Sequence, residues 1–383
     1  MKKSIKYLLP LILSVTLSYG IASAQQNDEI IFYKHLALSA WNGVYYGLAA
    51  DFLFNVENEK ALAAIPVITA GTCALVPLLV NETRTMSSNQ LFLTGHGQLV
   101  GWAHGFSLSA LIFGNNIFDS EGAGKVMTSL GAATSISLGL LGRSLSRTQS
   151  WSEGQVALYR HYGLFMPVTG AFLTGTFSED LRTYGASTLL FGTAGYLIAG
   201  RINRGDNYTL GEVRAIQAFT VLNGVLATAI YLDAVGENGP NEEFRPGMVL
   251  PAIGIMLGSG LGQKLLKDTN LTSRQGMTTI YAAGLGALIG SGLSILISSE
   301  GFDAADYLIP YITGSLSYAY ILGKFKADNT VRLQKDPVVE TGNWSFSLMP
   351  QNIFLNNRLQ EKGYISRGRY TVMQPVFTAS LTF

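Results

Sequence analysis

Residues 208–212, YTLGE, decide the fold, because their pattern occurs three more times in the chain. Each copy has a large apolar residue, then Ser or Thr, two variable residues, and Gln or Glu. In such a capping box the hydroxyl accepts a hydrogen bond from the backbone N–H three residues on, and the Gln or Glu side chain bonds back. Each copy therefore predicts the start of a helix. The four copies, here called junctions, are MSSNQ (86–90), WSEGQ (151–155), YTLGE (208–212) and LTSRQ (271–275).

The junctions repeat along the chain. They begin 65, 57 and 63 residues apart (151−86, 208−151, 271−208), and a period near 60 leaves room for two helices and two loops. We call the helix after each junction a B helix and the helix before it an A helix; a further B helix is predicted at roughly Glu29 to Phe54. The A helices are predicted to end at Val80, Gly142, Gly200, Gly262 and Gly323. At the last four positions, glycine favours the left-handed backbone angles of a helix C-terminus.

This repeat predicts an all-α fold for residues 25–336. About ten Gly-rich helices are expected, as five tandem helical hairpins arranged as a solenoid, a closed toroid or a bundle. The helices carry small residues at four-residue spacing, which lets helix backbones approach closely. These ladders are Gly97, Gly101 and Gly105; Gly254, Gly258 and Gly262; and Ala282, Gly286 and Gly290.

After Pro337 the pattern changes from helical to alternating. Trp344, Phe346 and Leu348 lie on one face, and the final VFTASLTF alternates in the same way, which predicts a C-terminal β-hairpin or strand segment over 337–383. The last strand, ending in Phe383, resembles the terminal strand of Gram-negative outer-membrane barrels. Two strands cannot close a barrel, so the resemblance implies no pore. The alternative is a hairpin that caps the last helical hairpin.

The N-terminus predicts export. Lys2, Lys3 and Lys6 precede an apolar run that ends near Ala22-Ser23-Ala24, the layout of a secretory signal peptide over residues 1–24. The expected location is the bacterial cell envelope, in the periplasm or at the outer membrane, with the inner membrane as the alternative. The only cysteine, Cys73, lies in an apolar run and excludes a disulfide framework.

Composition indicates contact with a membrane and not with nucleic acid. Charged residues make up 13% of the chain, against about 25% in ordinary soluble domains, and the net charge is +1 without a basic cluster. Several helices are long and uncharged, for example residues 61–80 and 277–299, and about 20 apolar residues suffice to span a bilayer.

Charge differs between the two ends of the predicted helices. The A-to-B junctions hold Arg84, Arg143, Arg147, Arg201, Arg204, Arg214, Lys264, Lys267 and Arg274, whereas acidic residues predominate in the B-to-A turns. A signal peptide would place the start of the first B helix, and hence the basic end, outside the cytoplasm. Cytoplasmic loops of membrane proteins usually carry the positive charge, so this orientation disfavours an inner-membrane bundle.

Four histidines are the candidate metal ligands. His96 and His161 each lie six residues after the junction Gln. His35 and His96 each lie six residues before a Trp, so these three histidines occupy equivalent positions in their B helices. His104 lies two helical turns beyond His96. Imidazole is the commonest metal ligand, although no HExxH motif or Cys/His cluster accompanies these residues. The alternative is a packing or hydrogen-bonding role. Likewise the polar residues within B helices either line a cavity or satisfy one another: Arg160, Glu212, Arg214, Gln217 and Asn223.

No catalytic arrangement, nucleotide motif or cofactor motif is recognisable in the sequence. We therefore expect a membrane-associated structural or assembly component of the envelope, with membrane or envelope proteins as partners that dock on its oppositely charged ends. Two alternatives remain open at this point. One is an integral multi-helix membrane protein such as a transporter or channel, and the other is an α/α-toroid enzyme with a site in its cavity.

Overall fold

The computed structural model describes residues 28–80, 86–118, 120–235, 245–297, 305–334, 343–348 and 377–382. The fold is all-helical, with ten α-helices in this part of the chain. They are α1 (Asp28–Leu53), α2 (Glu59–Val80), α3 (Ser88–Phe113), α4 (Glu121–Thr148), α5 (Glu153–Gly175), α6 (Leu181–Gly205), α7 (Leu210–Val235), α8 (Val249–Leu266), α9 (Ser273–Ile297) and α10 (Ala305–Gln334). Two short 3₁₀ helices, Gly114–Phe118 and Arg245–Met248, precede α4 and α8. The predicted signal peptide lies outside the described residues.

All four predicted capping boxes are confirmed. In the third, the Glu212 N–H donates to Thr209 Oγ1 at 3.1 Å and the Thr209 N–H donates to Glu212 Oε2 at 2.7 Å. The same reciprocal pair of bonds is present at the other three junctions. The predicted B helices are therefore α1, α3, α5, α7 and α9, and the A helices are α2, α4, α6, α8 and α10.

The predicted A-helix ends are wrong in four of five cases. The second helix, α2, ends at Val80, but α4, α6, α8 and α10 continue for 6, 5, 4 and 11 residues beyond the glycines (148−142, 205−200, 266−262, 334−323). None of these glycines has a positive φ; among the described glycines only Gly114 does. Gly142 instead allows close packing, because a Cβ there would lie 2.3 Å from the carbonyl oxygen of Leu93.

Each B helix packs against the A helix that follows it. Glycine ladders bring the backbones together, as predicted: a Cβ at Gly101 would lie 2.4 Å from Ser135 Cα, and one at Gly105 would lie 2.5 Å from Gly131 Cα. Gly254 and Gly258 have the same role between α8 and α7, and Gly286 and Gly290 between α9 and α10. Small residues thus take most of the helix-to-helix contact.

Successive helix pairs also touch. The B helix of one pair contacts both helices of the next: α3 contacts α5 and α6, and α5 contacts α7 and α8. The first and fourth B helices follow the same rule, since α1 contacts α3 and α4, while α7 contacts α9 and, through Tyr318, α10. B helices therefore lie between two A helices.

The chain divides into two compact units between Asn329 and Thr330. The second unit contains two short strands, β1 (Asn343–Leu348) and β2 (Phe377–Thr382), which pair antiparallel with Asn343 opposite Thr382. The segment that joins them lies outside the described residues. The C-terminal hairpin as a whole, and the domain boundary at 336/337, remain predictions.

Candidate functional site

The four junctions contact one another at one end of the helices. Asn89 of the first junction donates through Nδ2 to the Trp151 carbonyl of the second at 2.7 Å. A Cβ at Gly154 in the second would overlap the Tyr208 carbonyl of the third. Thr209 of the third donates through Oγ1 to the Leu271 carbonyl of the fourth, also at 2.7 Å. Sequence identified the junctions, and the structure shows that each one also binds the next.

Two buried charged residues belong to this contact. Glu212 is almost fully buried; besides capping α7, its Oε1 accepts from the Asn270 N–H at 2.8 Å and from the Thr269 hydroxyl at 3.3 Å. Arg214 donates through Nη1 to the carbonyl and the hydroxyl oxygen of Ser273, at 2.8 and 2.6 Å. A buried charge is tolerated when hydrogen bonds replace its water shell. These two side chains therefore hold the start of α7 against the α8–α9 junction.

A second set of polar contacts runs deeper in the helices, where each B helix meets the A helix of the next pair. We call it the polar seam. It consists of Tyr46 Oη with Ser135 Oγ (3.1 Å), His96 Nε2 with Tyr196 Oη (3.0 Å), His161 Nε2 with Ser259 Oγ (3.0 Å), and the Tyr318 hydroxyl donating to the Ala215 carbonyl (3.1 Å). One such tie joins each helix pair to the next.

The tie at His161 continues to a third residue. Ser259 Oγ lies 3.2 Å from Thr220 Oγ1, and the Thr220 hydroxyl donates to the Ile216 carbonyl at 2.9 Å. His161 Nδ1 has no hydrogen-bond partner among the described residues.

Burial decides what the His161–Ser259 pair can do. A serine nucleophile must be able to reach its substrate. His161 is fully buried and Ser259 nearly so. The pair therefore supports a structural tie between α5 and α8 and not an acyl-transfer dyad.

The four candidate histidines have different surroundings. His96 and His161 bond to different A helices, and His104 Nδ1 lies 2.8 Å from the Val100 carbonyl of its own helix. His35 is half buried in α1. The described residues contain no group of three or more His, Cys, Asp or Glu side chains arranged to hold a metal ion. Metal binding remains a prediction, while the alternative hydrogen-bonding role is observed for His96, His104 and His161.

Four of the five polar residues singled out in the B helices have contacts inside the protein. Asn223 Nδ2 donates to the Phe219 carbonyl at 2.8 Å, and the Arg160 guanidinium lies 5.0 Å from the centre of the Phe92 ring. Glu212 and Arg214 bond to the next junction. Both interpretations of this set, a cavity lining and mutual hydrogen bonding, remain predictions.

Sequence reasoning missed the A-helix partners of the seam. Tyr196 and Ser259 lie 100 and 98 residues beyond their histidines (196−96, 259−161), too far for any local pattern to connect them. The sequence signal that would have found them is the nearly constant separation of about 100 residues between a B-helix residue and its A-helix partner. It recurs in the bond from Gln263 to the Tyr162 hydroxyl, 101 residues apart, because the repeat places successive A helices against successive B helices.

The surface is apolar where the helices face outward. Leu79, Leu190, Ile289 and Leu296 are 77%, 68%, 64% and 82% exposed, whereas Ser109, Ser135, Thr169 and Thr220 are fully buried. Four described segments have the length and hydropathy needed to cross a bilayer, namely Glu59–Val76, Leu210–Val235, Arg245–Leu266 and Ser273–Ile297. Many large apolar side chains thus face outward, while the interior holds both a core of large apolar residues, such as Leu158, Ile216 and Leu271, and buried hydroxyl side chains.

Comparison with known proteins yields no relative: no family model, curated protein or solved structure matches this chain.

Proposed function

We propose that this chain is an integral membrane protein of the bacterial cell envelope, built from five tandem helical hairpins, with a structural or assembly role. The observation that carries the proposal is the large number of leucine and isoleucine side chains that face outward, on helices that approach one another through glycine. The C-terminal strands complete the proposed architecture as a β-hairpin.

Solvent energetics support the bilayer. Exposing a Leu or Ile side chain to water costs about 1.5–3 kcal/mol relative to burying it, and soluble monomers seldom expose apolar patches larger than a few hundred Å². Lipid removes this cost. Membrane helices associate through small residues and interhelical hydrogen bonds, which are the contacts found between these pairs.

Helix length and the location of charge at the helix ends fit a bilayer, whereas the basic end that a signal peptide would place outside the cytoplasm disfavours the inner membrane. Helix α9, one of the four candidate spans, has 25 residues and is about 38 Å long at 1.5 Å per residue, and the hydrocarbon core is about 30 Å thick. The junctions with their arginines lie at the helix ends, where charged side chains reach the interface.

The interior supports a scaffold more than a transporter or channel. Glu212, Arg214 and the seam hydroxyls are bonded to protein groups. A transport pathway needs polar groups that can exchange protein partners for a solute or water. We therefore place the function in assembly, through the surfaces that the helices present.

Fractionation tests this proposal directly. After an alkaline carbonate wash of total membranes, we expect the chain in the pellet, soluble only with detergent, and a density gradient then assigns it to the inner or outer membrane. A known peripheral membrane protein serves as the control that carbonate releases. Recovery of folded protein in detergent-free supernatant would refute the integral placement.

A further inference from the structure

Within the described residues, the tandem arrangement leaves two edges, one at each end of the array. Each B helix from α1 to α7 packs against the A helix of the next pair. In this part of the chain, α9 contacts no later pair, and α2 contacts no B helix of an earlier pair. The two edges are the two halves of the interface that the chain forms four times internally.

Register shows that α9 exposes positions that its counterparts bury or half bury. Ten residues after the junction Gln or Glu, Val100 (90+10) is buried and Phe165 (155+10) and Leu222 (212+10) are half buried, whereas Leu285 (275+10) is 60% exposed. Seventeen residues after it, Ser107 (90+17) and Ala229 (212+17) are buried and Phe172 (155+17) is half buried. At Gly292 (275+17) a Cβ would meet nothing within 4 Å.

The first A helix shows the complementary exposure. Val67 lies 23 residues before the junction residue Gln90 and is 70% exposed. Ala252 holds the same place before Gln275 (275−23) and is fully buried, and Leu189 holds it before Glu212 (212−23) and is half buried. Neighbouring Ala63 and Ala74 are small, as in the inner A helices, where small residues such as Gly185 and Gly192 face the preceding B helix.

We propose that α9 of one copy packs against α2 of a second copy of this chain, in the manner in which each inner B helix packs against the next A helix. This inference rests on the tandem arrangement proposed above. The occupant is a second copy because both halves of the repeated interface are present on one chain, one at each end. A contact between different surfaces is head-to-tail and produces a ring or a longer array.

Disulfide cross-linking of the full-length protein tests the contact. Cys73→Ser provides a background without cysteine, to which Val67→Cys and Leu285→Cys are added. After oxidation, we expect the double variant to form a ladder of dimers and larger species. A mixture of the two single variants should form dimers only, and each single variant alone should form none. Leu190→Cys with Leu285→Cys is the matched control, because Leu190 is equally exposed but lies on α6 within the array.

A steric variant provides the second measurement. Gly292→Trp should lower the yield of the Val67–Leu285 cross-link at least tenfold, because the indole occupies the space that the second copy needs. Gly260→Trp on α8 should leave the yield unchanged, since Gly260 has equally open surroundings but lies away from both edges.

Three results would overturn the proposal. The first is a folded protein without any Val67–Leu285 ladder. The second is efficient like-with-like cross-linking of Leu285→Cys alone, which would show a symmetric contact instead. The third is a disulfide within one chain, which would show a closed toroid. The bilayer placement is tested separately. If carbonate releases the protein and the released protein still forms the ladder in buffer, the contact between copies is supported and the membrane placement is refuted.

Discussion

Thr209 is the residue where helix capping and repeat stacking meet. Its hydroxyl oxygen accepts from the Glu212 N–H, and its proton goes to the Leu271 carbonyl of the next junction. The sequence predicts only the first bond. Neighbouring Asp206 forms an ion pair with Lys267 at 2.5 Å, which the sequence did not predict. Hydrogen bonding to this carboxylate raises the pKa of Lys267, so the lysine keeps its charge to higher pH.

Removing the Thr209 hydroxyl should therefore lower the free energy of unfolding by more than the loss of a helix cap alone. We expect Thr209→Ala to lower the free energy of unfolding by about 2 kcal/mol, as the sum of about 1 for the cap and about 1 for the interjunction bond. Denaturant titration in detergent measures it. Thr209→Ser should retain most of the stability.

The matched control is Thr278→Ala on α9. The Thr278 hydroxyl donates only within its own helix, to the Arg274 carbonyl, so this change should cost less than about 0.5 kcal/mol. Equal losses for the two alanine variants would contradict the role of Thr209 between junctions. Asp206→Ala removes an exposed ion pair and should cost at most about 1 kcal/mol.

At the scale of the elements, glycine has two distinct uses that sequence does not separate. Gly101 lies where α3 and α4 nearly touch, whereas Gly260 of α8 has nothing within 4 Å of a Cβ. Both lie inside helices, where glycine costs about 1 kcal/mol relative to alanine. Only the neighbouring helix decides whether that cost is recovered in packing.

Alanine substitution should therefore have opposite effects at these two glycines. Gly101→Ala would place Cβ 2.4 Å from Ser135 Cα, so α3 and α4 must separate, and we expect a loss of about 1–3 kcal/mol. Gly260→Ala should instead stabilise the protein by about 0.5–1 kcal/mol through helix propensity. Thermal and denaturant unfolding of both variants, measured side by side, test the difference. A stabilising Gly101→Ala would argue against the observed α3–α4 distance.

At the scale of the whole molecule, the solvent around the helices sets the cost of surface charge. Leu190 lies near the middle of α6 and points outward, and Phe177 is similarly exposed just beyond the end of α5. In water both positions would accept arginine with little effect. In a bilayer, only a position near the helix end lets the charge reach the interface.

We expect Leu190→Arg to cost about 2.5–3.5 kcal/mol of insertion free energy and Phe177→Arg much less. The measurement is the fraction of each variant recovered, folded, in the membrane. If Leu190→Arg behaves like Phe177→Arg and both remain within about 0.5 kcal/mol of the parent protein, the surface faces water.

The sequence by itself determined the starts of the B helices, the all-helical class and the order of helices, because capping boxes and small-residue spacing are local patterns. It placed the ends of α4, α6, α8 and α10 too early, since glycine also occurs within helices, as at Gly142, where it allows close packing. The residues bonded to His96 and His161 were decided only by the tertiary structure, because Tyr196 and Ser259 lie about 100 residues away. Which apolar residues face outward was also decided there, since helices such as α7 and α9 are apolar on most faces and burial depends on the neighbouring pair.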